Sequence, residues 1–356
     1  MNNSLVRDVR KIVVFRPNAV GDFVFCLPAL HALRQTYREA DLVYIGQQWH
    51  QDFLAFRPGP VDRVLVLPPT RGINASAGNE AADPALLEQF IDQMREAHID
   101  IALQMYGGGR YANPLVSRFA ARVSIGMRSP DAAPLDRCLS YGGVVNQRLQ
   151  LLELAALAGA KAWPMGRQLE VTDHDRHLAS CLLGAVDSRP VVVLQPGASD
   201  ARRRWPVHCF AALGDALAEQ GARVMVNGSL QEASLVRQVI EGMRHEADDL
   251  SGKASLAALC GLLERAALVV SNDTGPLHLA LALGRPCVGI YWFTNLIEAA
   301  PLCQAKHLAA VSLRTCCPVC GVENLTARCR HDASFVADVA LDEVAALAIT
   351  LLREDG

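Results

Sequence analysis

The chain has 356 residues, of which 51% are hydrophobic and 20% charged, with a formal net charge of −3. At roughly 100–200 residues per domain this length predicts two domains, and the composition excludes disordered and fibrous chains. The charge excludes the broad basic field of a nucleic-acid binder, so any anion site is local, and any contact with a membrane is peripheral and local.

Apolar runs and amphipathic stretches alternate from the start. "KIVVF" reads as a strand, "VGDFVFCLPALHALRQTY" as a helix entered through glycine, "DLVYIG" and "VDRVLVLP" as strands, and "EQFIDQMREAHID" as a helix running into the strand "IALQM". Nearly continuous apolar strands belong to a parallel sheet covered on both faces, which predicts a doubly wound α/β domain. The charged, weakly patterned stretch "LEVTDHDRHLASCLLGAVDSRP" separates this from a second series. There follow the strand "VVVLQPG", the helix "CFAALGDALAEQ", the strand "ARVMVNG", the helices "QEASLVRQVIEGM" and "SLAALCGLLERA", the strand "LVVSND", the helix "PLHLALALG" and the strand "CVGIYW". The expectation is two Rossmann-like domains, 1–175 and 176–335, bordering a cleft at the carboxyl ends of both sheets. The helix "LDEVAALAITLLRE", within 336–356, is expected to pack back toward the first domain.

The opening residues hold one short apolar run, Ile12 to Phe15, with neither the apolar core nor the cleavage site of a secretory signal. No window reaches the roughly 18 uncharged apolar residues of a membrane-spanning helix. The cytoplasm is therefore the expected compartment.

Three strand-to-helix junctions carry chemistry. In "LVVSNDTGPLHLALALGRP" a strand ends at Asp273-Thr274-Gly275, and Pro276 suits the first helical position. The free N–H groups and dipole of that helix start attract an anion, Gly275 lets it approach, and Thr274 and His278 offer further donors. The local alternative is a plain helix cap with His278 filling space. In "VVVLQPGASDARRRWP" a Pro-Gly turn precedes Ala198, Ser199 and three arginines, residues suited to phosphate oxygens; the alternative is a solvated charge run. In "KIVVFRPNAVGDFVFCLPAL" one glycine stands where a dinucleotide site has several, and Asp22 follows it. Such a carboxylate can act as general base toward a hydroxyl, or simply favour the helix dipole. Glu232 in "SLQEAS" can accept from a ribose or base, or has the purely local explanation of an exposed first-turn acid, and the glycine-rich "QMYGGGRYANP" places Arg110 and Tyr111 on a loop suited to acceptor binding.

Of eleven cysteines, Cys26, Cys138, Cys181, Cys209, Cys260, Cys287 and Cys303 stand singly and read as small buried hydrophobes. Cys316, Cys317, Cys320 and Cys329 cluster. Cys317-x2-Cys320 has the spacing of a metal knuckle, with Cys329 and His331 following, so the segment reads either as a structural metal site or as reduced thiols at a domain edge.

The stretches "RPNAVGDFVFCLPALHALR", "LQPGASDARRRWP", "LSGKASLAALCGLLERAALVVSNDTGPLHLALALGRPCVGIY" and "CCPVCG" together resemble the family 9 glycosyltransferases, the ADP-heptose:lipopolysaccharide heptosyltransferases and their relatives. The resemblance implies a GT-B fold with an N-terminal acceptor domain and a C-terminal nucleotide-sugar domain, and inversion at the anomeric carbon with no metal required for catalysis. It implies Asp22 as the base, Arg203 as a diphosphate contact, Asp273, Thr274, Gly275 and His278 as the donor-binding turn, and Ser199 and Glu232 as phosphate and nucleoside contacts. The implied donor is ADP-heptose and the implied acceptor a lipopolysaccharide-core glycan or glycolipid. Departures from the family pattern are Arg203 where lysine is frequent, Ala198 where a hydroxyl is frequent, and Ser334 where a further cysteine is common. The alternatives are a transferase using another nucleotide sugar on a protein or small molecule, and a catalytically silent nucleotide-sugar-binding protein.

Overall fold

Short, mostly apolar runs form parallel strands here because helices between most of them cover the faces of the sheets. The computed structural model describes residues 5–75, 83–161, 166, 168–184, 187–302 and 305–354. The chain divides into two compact units, residues 1–164 and 165–356, the division falling ahead of the boundary expected at 175.

In the first unit the order is β1 (Lys11–Phe15), α1 (Val20–Thr36), β2 (Asp41–Gly46), α2 (Gln48–Leu54), β3 (Arg63–Val66), α3 (Pro84–Glu96), β4 (Ile101–Gln104), α4 (Ala112–Ser117), β5 (Val123–Arg128), β6 (Arg137–Ser140) and α5 (Gln147–Leu157). The strands form one parallel sheet in the order β3-β2-β1-β4-β5-β6.

The second unit runs α6 (Asp173–Leu183), β7 (Val191–Gln195), α7 (Val207–Glu219), β8 (Arg223–Val226), α8 (Ala233–Glu241), β9 (Asp248–Asp249), α9 (Leu256–Arg265), β10 (Leu268–Asn272), α10 (Gly275–Ala282), β11 (Cys287–Trp292), α11 (Phe293–Ala299), β12 (His307–Ser312) and α12 (Leu341–Glu354). Its sheet, β12-β11-β10-β7-β8-β9, repeats the first unit's order. Each sheet therefore has one switch point where the winding reverses, between β1 and β4 and between β7 and β10. The carboxyl ends of those strands are where a doubly wound sheet leaves a crevice for ligands.

Several elements exceed the sequence reading. β5, β6, α5 and β12 follow runs broken by arginine or glycine. The stretch expected to separate the domains contains α6, started by a reciprocal Thr172–Asp175 capping box and packed on α9. That packing is close because α9 carries Gly261 at the contact: a Cβ there would lie 2.2 Å from the Asp175 carbonyl oxygen. The C-terminal segment is a layer of the second unit. α12 buries Val344, Ala348, Leu351 and Leu352 in the same core as Val192, Phe210, Val270 and Val288, because its apolar stripe matches the open face of that sheet.

Among the single cysteines, Cys26, Cys260 and Cys287 are buried as expected, and burial pushes the Cys26 thiol up to about 12. Cys138 and Cys209 are half-buried and Cys181 is exposed, contrary to expectation, because they lie on a sheet edge or an outer helix face. Cys303 falls outside the described residues. Among the described residues no helix is long and apolar enough to cross a membrane.

Two predictions follow from this packing. Gly261→Ala should destabilise the protein by about 1–3 kcal/mol, because the clash is with backbone and exceeds the roughly 1 kcal/mol gain in helix propensity. Gly214→Ala, whose Cβ meets only the tip of Met243 at 2.7 Å, should not; urea midpoints compare the two. The second concerns His50, which is buried, accepts the Gln47 N–H at Nδ1 (3.0 Å) and lies 3.4 Å from the Tyr44 hydroxyl. Burial, aided by the Arg16 charge, pushes its pKa down to about 3. Between its ordinary value of 6.5 and about 3 the unfolded chain takes a proton that the folded chain refuses, so stability falls as pH drops through this window, approaching ~1.4 kcal/mol per pH unit. His50→Gln should flatten that slope in urea titrations between pH 7 and 5.

Candidate functional site

In the first unit, Asp22 sits in the first turn of α1, directly after β1. Beneath it lies Arg16, 3% exposed, the residue that follows β1. The Arg16 guanidinium donates to Asp22 Oδ1 (3.1 Å), to the Asp22 carbonyl (2.8 Å) and to the Met105 carbonyl at the end of β4. The Tyr44 hydroxyl donates to the Arg16 carbonyl at 2.7 Å, fixing that backbone in turn. Asp22 Oδ1 is thereby held, its side chain stays 31% exposed, and Oδ2 has no hydrogen-bond partner among the described residues.

Arg110 and Tyr111 follow β4, on the same carboxyl edge as Asp22. Arg110 is exposed, 3.6 Å from Asp131 and 5.6 Å over the Tyr111 ring. Tyr111 leans on Gly72, whose Cβ would lie 2.7 Å from the ring. No direct contact with Asp22 joins them. Tyr106 comes nearer: burial first, and then the Asp22 charge, raise its phenol above the ordinary value. Arg16 and Tyr106 escaped the sequence reading; a charged residue terminating an apolar strand was the available signal.

The second unit builds an anion-ready turn at its own switch point. Asp273, 2% exposed, accepts from Arg203 Nη1 at Oδ2 (2.9 Å) and lies 2.9 Å from His278 Nε2 at Oδ1. Burial alone would raise its carboxyl, but the His278 hydrogen bond and the His278 and Arg203 charges outweigh it and hold the pKa below the ordinary value. Arg203 also donates from Nη2 to Ser199 Oγ at 2.8 Å. The three arginines separate in role: Arg202 pairs with Asp200 and lies 5.7 Å over the Trp292 ring, and Arg204 donates to the Ala198 carbonyl. Arg203 is the one that reaches Asp273.

Thr274 is the N-cap of α10 and uses no side-chain cap hydrogen bond. Helix geometry leaves the Gly275 and Leu277 N–H groups without intrahelical partners, and Thr274, Gly275 and Pro276 are half-exposed. His278 is 3% exposed and engaged with Asp273, so it faces inward. Asn272, absent from the sequence reading, ties both ends of the arginine loop to β10: its side chain donates to the Pro196 carbonyl (2.8 Å) and accepts from the Trp205 N–H (3.0 Å). Glu232 closes a capping box with Ser229 and lies against Gly197, where a Cβ would be 2.0 Å from its Oε1. Its local explanation is thus realised, at the edge of the same loop. Glu298 on α11 is a further acid near the turn, raised by burial and by the Asp273 charge.

Cys317, Cys320, Cys329 and His331 offer four ligand atoms within 4.8 Å of one another. His331 Nδ1 is 3.7 Å from Cys317 Sγ and 3.9 Å from Cys329 Sγ. A tetrahedral ion with metal–sulfur bonds of ~2.3 Å has ligand edges of roughly 3.5–3.8 Å, and the two His331 contacts lie close to that span. Gly321, at φ 71°, turns the chain after Cys320, and the Val319 N–H points at Cys317 Sγ (3.4 Å). Cys316 is exposed and lies outside the group.

Residues 88–326 match the profile of glycosyltransferase family 9 (heptosyltransferase). The chain is 24% identical over 297 residues to lipopolysaccharide heptosyltransferase 2 of Salmonella typhimurium, covering 79% of this chain and 82% of that protein. Among solved structures it resembles a family 9 glycosyl transferase of Veillonella parvula, with a TM-score of 0.80 and 19% identity over 99% of this chain and 100% of that one. It also resembles E. coli ADP-heptose LPS heptosyltransferase II, with a TM-score of 0.75 and 19% identity over 97% and 99% of the two chains. Two Rossmann-like sheets of this order and these likenesses give the GT-B fold. The match spans most of the chain, including the turn at Asp273: the protein belongs to glycosyltransferase family 9, the heptosyltransferase family.

Proposed function

We propose that the protein moves a heptose from ADP-heptose to a hydroxyl of a lipopolysaccharide-core or related glycan acceptor, with inversion and without a metal in the chemistry. The observation that carries this reading is the buried Asp273 carboxylate holding Arg203 at the open N-terminus of α10. A fixed guanidinium beside free helix N–H groups is a site for a diphosphate, whose charge grows as the glycosidic bond breaks. The ADP-heptose named for the E. coli enzyme and the lipopolysaccharide named for the Salmonella relative support the choice of donor and acceptor. We place the enzyme in the cytoplasm, with at most peripheral contact with the inner membrane.

In this reading Asp22 Oδ2 takes the proton of the acceptor hydroxyl as its oxygen attacks the anomeric carbon. The bond to the β-phosphate oxygen breaks with its electron pair, and ADP leaves. A single displacement from the opposite face inverts the anomeric configuration. Arg16 holds Oδ1, which leaves Oδ2 aimed outward. Arg203, the Thr274 hydroxyl and the Gly275 and Leu277 N–H groups receive the diphosphate; Asp273, His278 and Ser199 position Arg203 and the turn. Glu232 borders the nucleoside end, and Arg110 and Tyr111 the acceptor.

The Cys317, Cys320, Cys329 and His331 set would hold a thiophilic divalent metal, zinc or ferrous iron, in a closed structural site. All four ligand positions come from the protein, so no position opens to substrate.

Two outcomes test the reaction. Purified protein offered ADP-, UDP- and GDP-sugars with cell-envelope acceptors should release ADP from ADP-heptose, and Asp22→Asn should lower turnover by ~10²–10⁴ while calorimetry finds ADP binding unchanged. Consumption of a UDP-sugar with ADP-heptose ignored would refute the heptosyl assignment. Arg203→Ala should weaken ADP binding by roughly 10–100-fold, the scale of a lost charge-assisted phosphate contact. An unchanged affinity would remove the diphosphate from this turn.

A further inference from the structure

We infer that the metal knuckle is the clamp of the donor site: a zinc or ferrous ion on Cys317, Cys320, Cys329 and His331 fixes the turn that carries Arg203, so metal occupancy sets donor affinity. This rests on the metal reading of the cluster above and adds a regulatory role that the family assignment does not contain.

The connection is short and made of named bonds. Three residues beyond His331, the Ser334 hydroxyl donates to the Arg204 carbonyl at 2.6 Å, and the Phe335 N–H donates to the Arg202 carbonyl at 2.7 Å. The two donors grip the carbonyls on either side of Arg203. The Phe335 ring lies 4.7 Å from that of Trp292, over which Arg202 is placed. The Trp205 indole donates to the Val339 carbonyl at 2.9 Å, closing the far end of the turn. On the other flank of the knuckle, the Trp292 indole donates to the Arg314 carbonyl at 2.6 Å. The arginine turn and the knuckle thus share a floor of Trp292, Trp205 and Phe335, all in one core with Cys317.

The segment that delivers these contacts is anchored in the core at Cys317, Phe335, Val336 and Val339, but the stretch between these anchors has little regular structure. Between the end of β12 at Ser312 and the start of α12 at Leu341 there is no helix or strand, only one antiparallel bridge between Cys316 and Glu323. Val319, Val322 and Leu325 are exposed. The stretch from Pro318 to Arg330, almost wholly exposed, opens easily unless a cross-link closes it, and a structural ion supplies that cross-link. Ser334 spends its hydroxyl on the Arg204 carbonyl. The core holds Phe335 with or without the ion; with the ion gone it is the lead-in from His331 to Ser334 that loosens, and with it the Ser334 bond to the Arg204 carbonyl beside Arg203.

The test uses the full-length protein as isolated. Metal content is measured by elemental analysis, and ADP affinity by calorimetry before chelation with 1,10-phenanthroline, after it, and after return of zinc or ferrous iron. The expected result is one ion per chain, ADP affinity lowered about tenfold on chelation, and recovery with one of the two metals. Ser334→Ala should lower ADP affinity several-fold with metal content unchanged, and Cys320→Ser, at the exposed ligand, should lower metal content and ADP affinity together, which decides the matter if chelation unfolds the chain. Stoichiometric metal with ADP affinity indifferent both to its removal and to Ser334→Ala would overturn the clamp and leave the metal site standing. Absence of metal, with none taken up on reconstitution, would overturn both, while ADP binding to the untreated protein reports separately on the donor site.

Discussion

At both switch points an exposed charge rests on a buried charge of opposite sign. Asp22, 31% exposed, sits on Arg16 at 3%; Arg203, 23% exposed, sits on Asp273 at 3%. A buried ion is tolerable only when paired and hydrogen-bonded, so each buried partner dictates where its exposed partner must be. The positions follow from sheet order. Gln195 at the end of β7 pairs with Ser271 in β10, and this register brings the loops after the two strands within reach of one ion pair. In the first unit Phe15 pairs with Gln104, which lets Arg16 span from α1 to the Met105 carbonyl.

The polarity of the two arrangements suits a displacement reaction. A carboxylate meant to receive a proton needs an accessible oxygen, and the buried guanidinium engages one oxygen and leaves the other. A guanidinium meant to receive phosphate oxygens needs accessible N–H groups, and the buried carboxylate engages one edge and leaves the rest. Asn272 gives the second unit a neutral counterpart to this ionic tie, pinning both ends of the arginine loop through one fully buried amide. In the proposed reaction, donors fixed in this way need not reorganise as charge develops on the leaving group.

The sheets were legible in the sequence because parallel strands leave unbroken apolar runs, and so were Asp22 and the Asp273 turn, which interrupt those runs with residues a buried strand does not need. What the sequence could not separate was three adjacent arginines: only the fold shows Arg202 turned to Asp200 and Trp292, Arg204 to a carbonyl, and Arg203 to Asp273. The roles of Arg16 and Asn272 depend on carbonyls from distant strands, which no local pattern encodes. α6 was hidden by its charges, although its Thr172 and Asp175 cap was present in the sequence. His331 joins the thiols only because the loop from Cys317 folds back, and its nearness to them is a property of that closure.

The choice of arginine at position 203 has a geometric consequence. Nη1 faces Asp273, approaching both its carboxylate (2.9 Å) and its carbonyl (3.3 Å), and Nη2 donates to Ser199 Oγ. A lysine has three N–H donors on one nitrogen, and satisfying these same acceptors would exhaust them. Arginine has five donors spread over a rigid plane, so the anchoring edge is satisfied while Nε and the second hydrogen of Nη2 remain for phosphate oxygens. Ala198 is buried in the same turn and brings no side-chain donor, so in the proposed reaction the phosphate contacts of this loop fall to Arg203.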